Sequence, residues 1–131
     1  MSLRINPNDL RSEVQVFLDK YGWEMEACMH TAVIETAKQT VKKLKKGNFG
    51  FNDKKYSKGW ARKMSSKRFG ASAIIYNKTD GHLTHLLEFG HVKRNGGRTR
   101  AFPHIAPVND EVPEMFVENF IDAMVDQVNS N

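Results

Sequence analysis

The chain carries one cysteine, Cys28, in 131 residues. A single thiol excludes an intramolecular disulfide and any multi-cysteine zinc site, and it suits a reducing compartment. No apolar run approaches the ~20 residues that span a bilayer. The opening residues, Met1-Ser2-Leu3-Arg4-Ile5-Asn6-Pro7, lack the apolar core of a signal peptide. A soluble protein, made and used in a cytoplasm, is therefore expected. Two catalytic signatures are missing: the Gly-x-Ser-x-Gly elbow and the phosphate-binding Gly-x-x-x-x-Gly-Lys-Ser/Thr loop. No carboxylate pair is placed for general acid–base work. Cys28 itself lies beside an apolar helical stripe, where a buried structural thiol is the common case. An enzyme has no support here, and neither a cofactor nor a resident metal is expected.

Acid is scarce across the middle of the chain. Residues 36–70 hold twelve Lys or Arg and one acid, Asp53. Residues 105–131 reverse the balance. They hold Asp110, Glu111, Glu114, Glu118, Asp122 and Asp126, with no Lys or Arg. The net charge of +5 conceals this asymmetry. Such a molecule can pair with nucleic acid or with a copy of itself. The plainer alternative is two solvated faces.

The length fits one domain, and 40% hydrophobic residues are enough for its core. Apolar residues recur at Leu10, Val14, Phe17, Tyr21, Met25 and Met29, and on through Val33, Ala37, Val41 and Leu44. Steps of three and four predict one long helix. Asn8 or Asp9 suits its cap, Gly22 is a candidate kink, and Gly47 ends it. Residues 47–55 read as a loop. Strands are predicted over Tyr56–Ser65 and Phe69–Asn77, with a turn at Asp80-Gly81. Residues 82–89 predict one or two helical turns closed by Gly90. Residues 91–105 read as a hairpin-like excursion with its tip at Asn95-Gly96-Gly97. Pro103 and Pro107 are expected to bracket an extended segment. A second helix is predicted over about 110–128, with Val112, Phe116, Phe120, Met124 and Val128 inward and Pro113 near its first turn. The whole predicts an α+β fold: a long N-terminal helix, a small antiparallel sheet, a short central helix and a C-terminal helix. Trp60, Tyr76 and Phe89 are assigned to its core.

Histidines and aromatics supply the remaining candidates. His82, His85, Glu88 and His91 follow at steps of three, with His104 later. Imidazole with carboxylate is a plausible zinc or manganese set, which would suit a metal-dependent nuclease. The short metalloprotease patterns need histidines four apart with a placed glutamate, and neither is present. The simpler reading is turn and interface histidines. The basic stretch also interleaves Phe49, Phe51, Tyr56, Trp60 and Phe69 with lysines. Phosphate neutralisation plus base stacking would use those types, so a small DNA-binding protein is the second candidate. Aromatics at strand spacing are more often core.

Three stretches in this order carry a resemblance. They are Tyr56-Ser57-Lys58-Gly59-Trp60 with Ile75-Tyr76-Asn77; His85-Leu86-Leu87-Glu88-Phe89-Gly90-His91; and Gly97-Arg98-Thr99-Arg100-Ala101-Phe102-Pro103-His104-Ile105-Ala106-Pro107. Together they resemble the minor tail-component family of long-tailed bacteriophages, whose members act in tail completion or head–tail joining. Many members carry threonine after Glu-Phe-Gly, where this chain has His91. The resemblance covers most of the chain and implies a structural virion protein, assembled in the host cytoplasm. It implies a homo-oligomeric ring, with a hexamer as one candidate, meeting neighbouring head-connector or tail proteins. It also allows non-specific contact with DNA in the lumen and gives no role to a membrane. The contact residues expected on that basis are Lys93, Arg94, Arg98 and Arg100 in the loop and Lys43, Lys45 and Lys46 after the first helix. Asp110, Glu111, Glu114 and Glu118 form the expected acidic interface. A head-to-tail ring needs two complementary patches per subunit, and the basic helix end and the acidic helix are the candidates.

Overall fold

Between Pro7 and Lys46 no proline interrupts the apolar period, and this stretch forms one unbroken helix, α1 (Pro7–Lys46). At a rise of 1.5 Å per residue its 40 residues extend about 60 Å. The computed structural model describes residues 7–67 and 70–130, and within them the side chains of residues 22, 24–65 and 71–129. The expected cap at Asn8 or Asp9 and the stripe before Gly22 lie outside the described side chains, as does Phe69. Gly22 does not divide the helix.

After α1 come a short helix α2 (Lys54–Lys58) and strands β1 (Trp60–Lys67) and β2 (Gly70–Asn77). A 3-10 turn (Gly81–Leu83) leads into α3 (Thr84–Phe89), and α4 (Ile105–Ser130) closes the fold. The α+β order is the predicted one. β1 and β2 form an antiparallel pair in which Trp60 faces Asn77 and Met64 faces Ala73. Tyr56, expected to begin a strand, is helical instead. The Asp53 carboxylate accepts from the Tyr56 backbone N–H at 3.1 Å and caps the short helix ahead of the strand.

α4 begins at Ile105, earlier than predicted, so Pro107 belongs to its first turn rather than to an extended segment. Proline is tolerated in a first turn, where its missing N–H has no helical partner to lose. α4 runs antiparallel to α1. Cys28 Sγ donates to Gln127 Oε1, and Asn119 Nδ2 donates to Thr36 Oγ1 and Gln39 Oε1. The buried face of α1 comprises Cys28, Ala32, Thr36, Ala37, Thr40 and Leu44; Ala37 and Leu44 lie on the predicted stripe, and Cys28, Ala32, Thr36 and Thr40 lie one position before it. Small side chains at steps of four let the helices approach closely, which large apolar residues would prevent. On α4 the inward face is Val108, Val112, Met115 and Asn119, continuing to Ala123 and Gln127. Met124 and Val128, predicted inward, face outward.

The core sits where α1, α2, β1 and the start of α4 converge: Leu44, Tyr56, Trp60 and Val108 are buried together. Phe49 and Phe51 from the connecting loop, Ile75 and Leu87 pack around them. Trp60 is core as expected, but Tyr76 and Phe89 are not. Tyr76 shares the outer face of the hairpin with Ile74 and Lys63, because pleating turns the neighbouring Trp60–Asn77 pair inward. Phe89 is 72% exposed because the preceding residue, Glu88, takes the inward position. Beside the core, an apolar cleft of about 720 Å3 opens between α1, the hairpin and α4, with Val33, Trp60, Ile75 and Phe116 among its walls.

Candidate functional site

Glu88 and His104 join the two motifs that bound the basic loop. A helix start leaves its first backbone N–H groups unpartnered. Here the Glu88 carboxylate reaches across to them. Oε2 accepts from His104 and Ile105 at 2.8 and 2.9 Å, and Oε1 accepts from Ala106 at 3.0 Å. The carboxylate also sits at the positive end of the α4 dipole. Burial pushes the Glu88 carboxyl up, but these three N–H donors and the adjacent imidazole outweigh it and hold the group below its ordinary range.

His104 is completely buried. Its Nδ1 lies 2.7 Å from the Phe102 carbonyl and 3.0 Å from Glu88 Oε2. Both are acceptors, so Nδ1 carries a proton, and Nε2 shares a hydrogen bond of 2.7 Å with the Tyr56 hydroxyl. Rings of Phe49, Phe51, Tyr56 and Trp60 stand within 5.2 to 5.9 Å of the imidazole, at steep angles. Burial raises the Tyr56 hydroxyl above its ordinary pKa; a hydrogen bond with Thr84 opposes this, and the nearby Glu88 charge adds to it. A Glu–His–Tyr series resembles a catalytic relay, but no substrate reaches an imidazole sealed in this way. The series is a structural lock.

The lock holds a short, ordered loop. Gly90 has φ 72°, and a Cβ there would meet the Thr99 carbonyl oxygen at 2.7 Å. Only glycine fits such a position without strain. The Phe102 backbone N–H donates to the Leu87 carbonyl at 2.7 Å, and Val92 bridges to Arg98. His91 and Thr99 exchange backbone and side-chain bonds of 2.8 to 3.0 Å, which explains how histidine serves here. Beyond the bridge, a tight turn with Lys93 bonded to Gly97 forms the tip at Asn95–Gly97, as predicted. Arg98 Nη2 donates to the Phe89 carbonyl, and the Arg100 guanidinium stands 5.3 Å from the centre of the Phe102 ring. Lys93, Arg94, Arg98 and Arg100 are all exposed. Phe89 and Val92, 72% and 64% exposed, share this segment with them.

The chain matches no protein-family model, no curated protein and no solved structure.

The structure brings some expected site residues together and separates others. Lys43, Lys45 and Lys46 occupy the exposed last turn of α1. Lys43 already pairs with Glu111 of α4 in the same chain. The basic helix end and the acidic start of α4 are therefore neighbours rather than two remote patches. Asp110, Glu114 and Glu118 are exposed on α4. Phe49, Phe51, Tyr56 and Trp60 are committed to the core and to His104, which removes them from any base-stacking surface. Among the described residues, no three metal-ligating side chains come together. None of the described helices is long and apolar enough to cross a membrane.

Sequence reasoning missed a ridge along the C-terminal half of α4. Val117, Ile121, Val125 and Val128 are each half or more exposed and share one helix face. At 100° per residue they point away from the Val108–Met115–Asn119 face. Glu114, Glu118 and Asp122 border the ridge. The signal was present as a second apolar row on α4, since a helix with two such rows packs on two sides.

Proposed function

We propose that this protein is a structural subunit of a tailed-phage virion that acts in tail completion or head–tail joining as a member of a ring. The observation that carries the reading is the lock between Glu88 and the start of α4. The two motifs of the resemblance, Glu88-Phe89-Gly90 and Ala101 to Pro107, are hydrogen-bonded to one another. Their polar groups are spent on holding a loop and a helix, and what they present outward is apolar and basic surface. Such a design serves binding rather than turnover. The exposed apolar residues on α4, the hairpin and the 89–92 stretch also suit a subunit that works in an assembly.

A DNA-binding role outside a virion draws less support, because Tyr56 and Trp60 are buried and Phe49 and Phe51 pack against them, away from any base-stacking surface. Electron microscopy of lysates from a phage lacking this gene tests the proposal. Filled heads beside separate or overlong tails are expected. Normal, joined, infectious particles would overturn it.

A further inference from the structure

We propose that the 89–98 loop of one subunit docks on the outward α4 ridge of a second copy, head to tail. The inference deepens the ring reading above and rests on it. The two surfaces are complementary in both apolarity and charge. The loop exposes Phe89 and Val92, and residues 89–104 contain four Lys or Arg and no acid. The ridge exposes Val117, Ile121, Val125 and Val128, and α4 contains six acids and no Lys or Arg. An apolar centre with a charged border is the ordinary anatomy of a protein interface. The border sets register and encounter rate, and the centre supplies the burial.

The contact cannot form within one chain. Phe89 adjoins the residue that caps the N-terminus of α4, and Val92 is held in its bridge to Arg98. The ridge begins at Val117 and ends at Val128, about 18 to 35 Å further along the helix axis. Each subunit thus carries both halves of the contact at different places. A joint of this kind is heterologous, and repeating it gives a closed ring when the rotation permits. The loop is also built before docking. Its bridge, the His91–Thr99 bonds and the Arg98–Phe89 bond define its shape, which lowers the ordering cost of association. Exposed phenylalanine and valine favour this partner over a nucleic acid backbone, which needs only the charges.

Charge exchange in the full chain tests the contact by sedimentation at low salt. One variant carries Lys93→Glu and Arg94→Glu, sparing Arg98, which orders the loop. The other carries Glu114→Lys and Asp122→Lys, sparing Glu111, which pairs with Lys43. Circular dichroism checks that each is folded. The wild-type chain is expected to self-associate in a salt-sensitive way. Each variant is expected to weaken association tenfold or more, and a chain carrying all four changes is expected to recover it. Association that survives both variants, or is not recovered in the combined chain, overturns this contact while leaving a ring built on other faces. The contact is likewise overturned if Lys63→Glu on the hairpin abolishes association and the loop changes do not. A wild-type chain still monomeric at about 1 mM, with a loop that binds duplex DNA, assigns the loop to nucleic acid and overturns the contact. Normal particles from the gene deletion would instead remove the ring reading itself.

Discussion

A single carboxylate decides how the last third of the chain is held. Glu88 supplies acceptors to three N–H groups that a helix start cannot satisfy by itself. Glu88→Gln keeps the size but turns an amide NH2 toward those donors. We expect a loss of about 1–3 kcal/mol in urea unfolding, more than an ordinary cap, because the site is buried. The lowered Glu88 pKa adds a pH signature. Its stabilisation is fully present above the unfolded value, about 4.3, and is lost as pH falls through the folded value. Stability should therefore decline with acid below about pH 4.3 in the wild type and less steeply in Glu88→Gln. Tyr56 acts at the other end of the scale. Its raised pKa favours the protonated phenol in the folded state, so stability is retained up to the unfolded value, about 10, and lost as pH rises through the folded value. Tyr56→Phe leaves His104 Nε2 buried without its hydrogen-bond partner, and a loss of about 1–3 kcal/mol at neutral pH is expected.

At the scale of elements, the contact between α1 and α4 depends on how little the side chains occupy. Ala32 is fully buried between Cys28 and Thr36 on the contact face. Ala32→Leu inserts volume that the antiparallel pair has no room for, and about 1–3 kcal/mol of destabilisation is expected in thermal or urea unfolding. Exposed apolar positions behave oppositely. Ile121→Ser and Phe89→Ser should leave monomer stability within about 0.5 kcal/mol, since neither side chain is buried. Their effect is expected in association alone, and unfolding compared with sedimentation separates the two. The hairpin is the thinnest element. Two strands are marginal in water without support, and β1 and β2 find theirs by packing on α1 and around Trp60.

At the scale of the molecule, the division of charge is partly closed within the chain. Lys43 and Glu111 face one another across the antiparallel helices. Both side chains are about half exposed, and such pairs contribute little to stability. Lys43→Glu is therefore expected to change unfolding by less than about 1 kcal/mol. Glu114, Glu118 and Asp122 beside the ridge and Lys93 and Arg94 of the loop are exposed to a second molecule. Their contribution is expected in the salt dependence of association, because exposed charges are screened beyond about 8 Å at physiological ionic strength.

Much of the fold is determined by local pattern. The 3.6-residue period and the absence of interior proline specify α1, two runs of strand-forming residues specify the sheet, and Gly90 specifies the end of α3. Residue types alone also place the loop tip at Asn95–Gly97 and the two regions of opposite charge. The tertiary structure decided what period cannot. Glu88 and Phe89 stand side by side on a short helix, and only the position of the α4 N-terminus determines which turns inward. The early start of α4 has the same cause, because its cap comes from a carboxylate sixteen or more residues away rather than from its own flank. Size and hydropathy assign Tyr76 and Phe89 to the core, but a thin fold has too few layers to cover every large apolar side chain. Those left outside, on the loop and along α4, are the surface from which the proposed assembly follows.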